Sequence, residues 1–183
     1  MEYEMTIAGL KRHLPLCPIN DTTQIGAFIM FGDSEITEKA AAALLKLAPD
    51  FDVIVTAESK GIPLAHEMSR QSGYSDYVVM RKGAKLYMRN VIQTEVNSIT
   101  TDHIQTLCIG EDDEKLIKDA RVLLVDDVIS TGESMKSMET LVNQVGGIVA
   151  GRMSVLAEGD AAERDDIVFL EKLPLFDKDG NPK

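Results

Sequence analysis

The chain has 183 residues, 44% apolar and 27% charged, with 30 acidic against 19 basic side chains and a formal net charge of −11. This length fits one domain built round a sheet-centred core, and the acidic balance excludes a general nucleic-acid binder, which needs a basic footprint. No apolar run reaches the ~18 residues of a membrane span, and "MEYEMTIAGLKRHLPLCP" makes a poor signal peptide, so the expectation is a cytoplasmic protein with no membrane partner.

In chain order, the first 25 or so residues read as irregular, because Pro15 and Pro18 break any helix. "IGAFIMF" (25–31) reads as a strand. The next segment predicts a helix capped by Asp33 or Ser34, with Ile36, Ala40, Leu44 and Leu47 on one stripe and Pro49 as its end. "FDVIVTA" (51–57) is a continuous apolar run, as expected of a strand buried on both faces. "ESKG" follows, then a helix to about Ser72, then the strand "YVVMRK" (77–82). Residues 86–109 suggest a hairpin, or two or three strands, joined by the polar "NSITTD". "EDDEKLIKDA" reads as an acidic surface turn or short helix, and "RVLLVD" as the clearest strand of the chain. Residues 132–145 predict a helix with Met135, Met138, Leu141, Val142 and Val145 on one side, and "GGIVAGRMSVLAE" a further strand. Cys17 and Cys108 share no CxxC spacing; they are expected to be reduced, with Cys108 in the core. Alternating buried strands and helices imply an α/β fold, a mainly parallel central sheet flanked by helices. In such sheets ligands sit beyond the carboxyl ends of the strands.

Two of those ends carry distinctive loops, "ESKG" and "DDVISTGES". In the second, Gly132 permits a tight turn, and the amides of about 129–134 stand unpaired where a helix begins, with the helix dipole behind them. That is a phosphate cradle, and a local ring of amides can oppose a negative global field. Asp126 and Asp127 are acceptor-only groups when ionised and suit vicinal sugar hydroxyls. The ligand that fits both carries hydroxyls at one end and a phosphate at the other. A plain capped turn with exposed aspartates is the alternative.

Other phosphate and metal motifs are missing. "GESMKS" lacks the second glycine and the Gly-Lys pair of a P-loop, no GxGxxG follows a strand, and "HEMSR" has no second histidine. His13, His66 and His103 are too scattered to mark a metal site.

"VLLVDDVISTGES" resembles the phosphoribosyl-diphosphate (PRPP) signature of the type I phosphoribosyltransferases. "DVIVTAESKGIPLA" is similar to the pyrophosphate-binding strand and loop of the adenine and xanthine enzymes, "YVVMRKGAKLY" to their next strand, and "AGRMSVLAE" to the strand after the PRPP helix. The resemblance covers about residues 50–158, the expected PRPP-binding core of a single 1–183 domain, with residues 1–31 as a small hood over the base. It implies that Asp126 and Asp127 hold the ribose hydroxyls. Ser130, Thr131, Gly132, Glu133 and Ser134 would surround the 5-phosphate. Glu58, Ser59, Lys60 and Gly61 would form the pyrophosphate loop, often with a strained or cis peptide in this family. Arg81, Lys82 and Lys85 would add positive charge near the diphosphate, there or across a dimer interface; solvated strand-end lysines are the alternative for Lys82 and Lys85. Ile129 and part of residues 14–31 are expected to bracket the base. Mg²⁺ would arrive on the substrate's own oxygens, with no direct protein ligand. A homodimer is implied.

The pattern departs from the adenine enzymes in three places. On the mobile loop, "VNSITTDHIQTL" keeps Ser98 but has Ile99 where a tyrosine is usual, and looks more like the xanthine enzyme's loop. Asp102 is either a displaced acid or an exposed loop aspartate. The N-terminal F-x-D-I motif is absent, and Glu133 replaces a common glycine. The expectation is therefore a purine phosphoribosyltransferase, adenine first and xanthine or guanine second. A non-catalytic PRPP-sensing regulator is the alternative from another class, and it would want a basic nucleic-acid face that residues 1–25 do not supply.

Overall fold

The computed structural model describes residues 1–97 and 104–183. Its centre is a parallel sheet of five strands. These are β4 (Val53–Ala57), β5 (Val78–Met80), β8 (Arg121–Ile129), β9 (Ile148–Glu158) and β10 (Val168–Leu173), in the spatial order β10-β9-β8-β4-β5. Each neighbouring pair runs parallel. The helices α1 (Ser34–Leu45) and α2 (Ile62–Ser72) cover one face, and α3 (Glu111–Ile117) and α4 (Glu133–Gln144) the other. β4 shows why its sequence is apolar throughout. Side chains alternate across a strand, and here Val53, Val55 and Ala57 enter the core with α4 while Ile54 enters the core with α1 and α2.

α4 sits where its apolar stripe dictates. Met135, Met138, Leu141 and Val142 are at most 2% exposed, and burial of such side chains contributes about 1.5–3 kcal/mol each. That packing fixes the amino end of α4, and with it the preceding loop, against the carboxyl edge of the sheet. α1 begins as expected at Asp33, whose Oδ1 accepts from the Ile36 amide at 3.1 Å. It ends at Leu45, so Leu47 falls outside the stripe and is 54% exposed. Pro49 accounts for the early stop by disfavouring helical backbone just before it.

The amino-terminal segment is not irregular. β1 (Glu2–Ile7), β2 (Leu10–Asn20) and β3 (Thr23–Gly26) form a three-stranded antiparallel sheet. The prolines exclude a helix without excluding this strand. Pro15 pairs with Glu2 at the end of the β1 ladder, and Pro18 lies at the register shift opposite β3, places where a missing N–H is tolerated. β3 is also shorter than the 25–31 strand expected; beyond it Phe28 and Met30 still turn inward while Ile29 and Phe31 face out. The hairpin of β6 (Ile92–Asn97) and β7 (Ile104–Ile109) is antiparallel, as expected, and Cys108 is fully buried. Leu86 and Tyr87, expected at the start of a strand, are exposed outside it.

β10 and the tail after it had no counterpart in the sequence reading. Gln24 and Phe176 exchange backbone hydrogen bonds of 2.9 Å, and Phe176 is completely buried with its ring 4.8 Å from that of Tyr3. The carboxyl-terminal tail thus fastens the amino-terminal sheet.

Candidate active site

β8 continues through Ile129, beyond the end expected at Asp126, so both aspartates lie inside the strand. On one side it pairs with β9 as far as Ile129, but with β4 only over Val122–Leu124. Beyond Leu124 the β4 side of β8 is free of strand, and the loop after β4 fills that space. Gly61 is the point of approach. A Cβ there would lie 3.1 Å from Asp126 Oδ1 and would collide with Thr56 Oγ1, so a glycine is what lets the two loops meet.

The acids form one cluster. Asp126 Oδ1 accepts from the Asp127 amide at 2.9 Å, and the Lys60 ammonium stands 3.2 Å from Asp127 Oδ2. Asp127 is 3% exposed. Burial pushes the proton affinity of the Asp126 carboxyl well up, the Asp127 charge adds to the effect, and Lys60 opposes it. Two carboxyls therefore share a single ammonium.

A second cluster surrounds Glu58. Its Oε2 accepts from the Lys82 amide at 3.0 Å, Arg81 Nη2 is 3.4 Å from Oε1, and Lys85 Nζ is 3.9 Å from Oε2. The amide hydrogen bond first, and the charges of Arg81, Lys85 and Lys82 next, hold the Glu58 carboxyl below its ordinary range. The Glu58–Ser59 peptide is cis. The structure thus brings "ESKG" and "RK…K" together from neighbouring strand ends, with three cations around one carboxylate.

The third part is the loop between β8 and α4. Gly132 has φ +79° and is the N-cap of α4, with no capping side chain. The Thr131 hydroxyl stands 3.4 Å from the Glu133 amide. Ser130 and Thr131 are exposed, and residues 128–135 with Asp126 line a cleft of about 120 Å³. Ile129 is 2% exposed and shares the core of α4, not that of residues 14–31. The side-chain alternation of β8 shifts across the two aspartates, so that Val128 joins Leu123 and Val125 on the face of Leu14, Phe28 and Met30.

One residue of this edge escaped the sequence reading. Glu158 closes β9 and is 8% exposed. Burial pushes its carboxyl up, while the Ser130 hydroxyl and Lys60 pull it down. An acid ending an apolar strand, "MSVLAE", was the available signal. Ser98, Ile99 and Asp102 lie outside the described residues. Among the described residues no three His, Cys, Asp or Glu side chains converge as a metal cage, and no helix is long and apolar enough to cross a membrane.

A family model described as "Phosphoribosyl transferase domain" matches residues 33–178. A hypoxanthine/guanine phosphoribosyltransferase of Methanothermococcus okinawensis is 28% identical over 164 residues, which cover 84% of each chain. An adenine phosphoribosyltransferase of Cenarchaeum symbiosum is 38% identical over 115 residues, 61% of this chain and 64% of that one. The crystal structure of adenine phosphoribosyltransferase from Rhodothermus marinus superposes with a TM-score of 0.70 at 22% identity, covering 87% of this chain and 94% of that one; this likeness concerns the fold.

Proposed function

The chain belongs to the phosphoribosyltransferase family, and from that premise we propose that it is a purine phosphoribosyltransferase of base salvage. It moves the 5-phosphoribosyl group of PRPP to a purine ring nitrogen, giving a nucleoside 5′-monophosphate and pyrophosphate. The observation that carries this reading is the spacing on one strand: the Asp126/Asp127 pair, then within a few residues the left-handed turn at Gly132 that opens α4. A ligand that meets both has sugar hydroxyls and a phosphate tail.

The chemistry follows from charge. Loss of pyrophosphate builds positive charge on the ribose ring and negative charge on the leaving group. Asp126 and Asp127 accept from the ribose hydroxyls and lie beside the developing cation. Lys60 and the group of Arg81, Lys82 and Lys85 face the leaving diphosphate. The amides of residues 130–134 take the 5-phosphate and hold the sugar in line for attack by the base. Mg²⁺ fits this set as a passenger on diphosphate and hydroxyl oxygens, since Mg²⁺ keeps most of its oxygen shell from substrate and water; when bound it neutralises leaving-group charge.

Residues 1–31 form the hood over the base, and the packing of Leu14, Phe28 and Met30 on the face of Val128 supports this. A homodimer with the cations of residues 81–85 near its interface completes the reading, in the cytoplasm. Adenine is the favoured base, because the adenine relatives reach 34–38% identity and the hypoxanthine/guanine relatives 28–29%. The second reading takes a 6-oxopurine, as the names of the two hypoxanthine/guanine relatives suggest. Steady-state assays with adenine, hypoxanthine, guanine and xanthine, each with PRPP and Mg²⁺, separate the two. Turnover of adenine is expected. No turnover of any purine, with PRPP-dependent shifts of DNA or RNA in a gel, replaces the enzyme by a regulator.

A further inference from the structure

Behind the phosphate loop stands a guanidinium that the mechanism above does not use. Arg164 follows the short 3-10 turn Gly159–Glu163 after β9. Its Nε and Nη2 donate to the two carboxylate oxygens of Asp166 at 2.8 and 2.7 Å. Such a fork-to-fork pair fixes the plane of the guanidinium. The remaining nitrogen, Nη1, is aimed at Gly132, where a Cβ would collide with it. Arg164 also lines a cavity of about 640 Å³ that shares Thr131, Gly132 and Glu133 with the sugar cleft but does not reach Asp126. The arginine therefore meets the loop at Gly132 from a cavity that Asp126 does not line.

The turn needs a brace. Gly132 is in the left-handed region, and α4 has no capping side chain. The Thr131 hydroxyl reaches the first-turn amide of Glu133 only at a long 3.4 Å, and a cation packed against the N-cap glycine adds to that hold. That cation also adds to the positive end of the α4 dipole. Arg152, on the same cavity, is paired with Glu139.

We propose that Arg164, held by Asp166, is a positioning residue for the 5-phosphate of the sugar substrate: it keeps the loop at Gly132 in its anion-accepting shape and adds charge behind it. The proposal rests on the reading of residues 130–134 as a phosphate cradle. It makes the two anion sites of the enzyme separable, because Arg164 touches the 5-phosphate loop and not the loop at Glu58.

The test is calorimetric titration of the full chain with ribose 5-phosphate and, separately, with magnesium pyrophosphate. Arg164→Gln is expected to weaken ribose 5-phosphate about tenfold, the size of one charge-assisted contact, and to leave pyrophosphate within about twofold. Arg164→Lys keeps the charge but loses the fork, so it falls between Arg164→Gln and the native chain. In turnover, KM for PRPP rises while kcat changes less. Unchanged ribose 5-phosphate affinity, or equal loss of both ligands, overturns the proposal. Asp166→Asn, which keeps the guanidinium charge but loses the fork, gives the same intermediate, ribose 5-phosphate-selective loss as Arg164→Lys and serves if Arg164→Gln does not fold. Failure of the unaltered chain to bind ribose 5-phosphate would instead remove the functional reading itself.

Discussion

The two ends of β8 meet aspartates in opposite circumstances. At its start, the Arg121 amide and Nε donate to Asp52 Oδ2 at 2.7 and 3.0 Å, and Nη2 to Oδ1 at 2.8 Å. These hydrogen bonds pull the Asp52 carboxyl down to about 2. At its other end Asp126 and Asp127 have one ammonium between them, and burial with mutual repulsion drives the Asp126 carboxyl the other way. The first end is satisfied from within the chain. The second is left with acceptors to spare, on the edge where β4 no longer pairs and loops open. An incomplete charge balance beside a helix N-terminus is what a ligand completes.

The sharpest test of that contrast is Asp126→Asn combined with Asp127→Asn. It is expected to abolish turnover and PRPP binding while the melting transition stays cooperative. Retained activity would make the two ends of β8 equivalent. Next in size are the glycines. Gly132→Ala places a methyl against the Arg164 guanidinium in a left-handed turn, and Gly61→Ala drives one into Thr56 and Asp126. Each should cut kcat/KM by more than about tenfold, beyond the ~1 kcal/mol that the backbone penalty alone explains. Gly73→Ala is the control: φ is +77° there but the space is open, so thermal stability should fall by a few degrees with the substrate KM unchanged.

The pH dependence of stability also separates the ends. Asp126 binds its proton more tightly in the folded chain than in the unfolded one. Its contribution is therefore full below the unfolded carboxylate value of about 4 and is lost as pH rises through the raised folded value. Asp52 has the opposite sign: its contribution is present above about 4 and is lost as pH falls through about 2. Asp126→Asn should accordingly melt a few degrees above the native chain near pH 8–9 and show little gain near pH 5; equal curves at both pH values would show that the acid is not held protonated. The smallest effect expected is that of Asp52→Asn, an exposed pair: a slight fall in melting temperature at neutral pH and unchanged kinetics, both measurable on one preparation.

Much of the site was legible because its parts are local. A strand, two acids and a Ser-Thr-Gly turn occupy one short stretch, and their geometry follows from strand and helix periods alone. The "ESKG" loop and the "RK…K" strand end were legible by resemblance, but their meeting at Glu58 was not, since it needs β4 and β5 side by side. The amino-terminal sheet was misread because prolines drew attention from an alternation already present: Tyr3, Met5 and Ile7 against Glu2, Glu4 and Thr6. Ile129 was assigned to the base side because the strand was expected to stop at the aspartates. β8 runs on through Ile129, but simple parity would put that side chain with Leu123 and Val125 on the α1 and α2 face; the alternation shifts across the two aspartates, and only the tertiary structure places Ile129 with Val122 and Leu124 in the core with α4.

The sequence by itself determined the α/β class, the parallel sheet with its two helical layers, and the edge where chemistry sits. Those follow from periodicity and from the few residue types that suit an unpaired turn. Tertiary structure alone decided that Lys60 reaches Asp127, that Glu158 is buried beside Ser130, and that Arg164 backs Gly132. Each of these joins segments tens of residues apart, and only the register of neighbouring strands brings such segments within hydrogen-bond range.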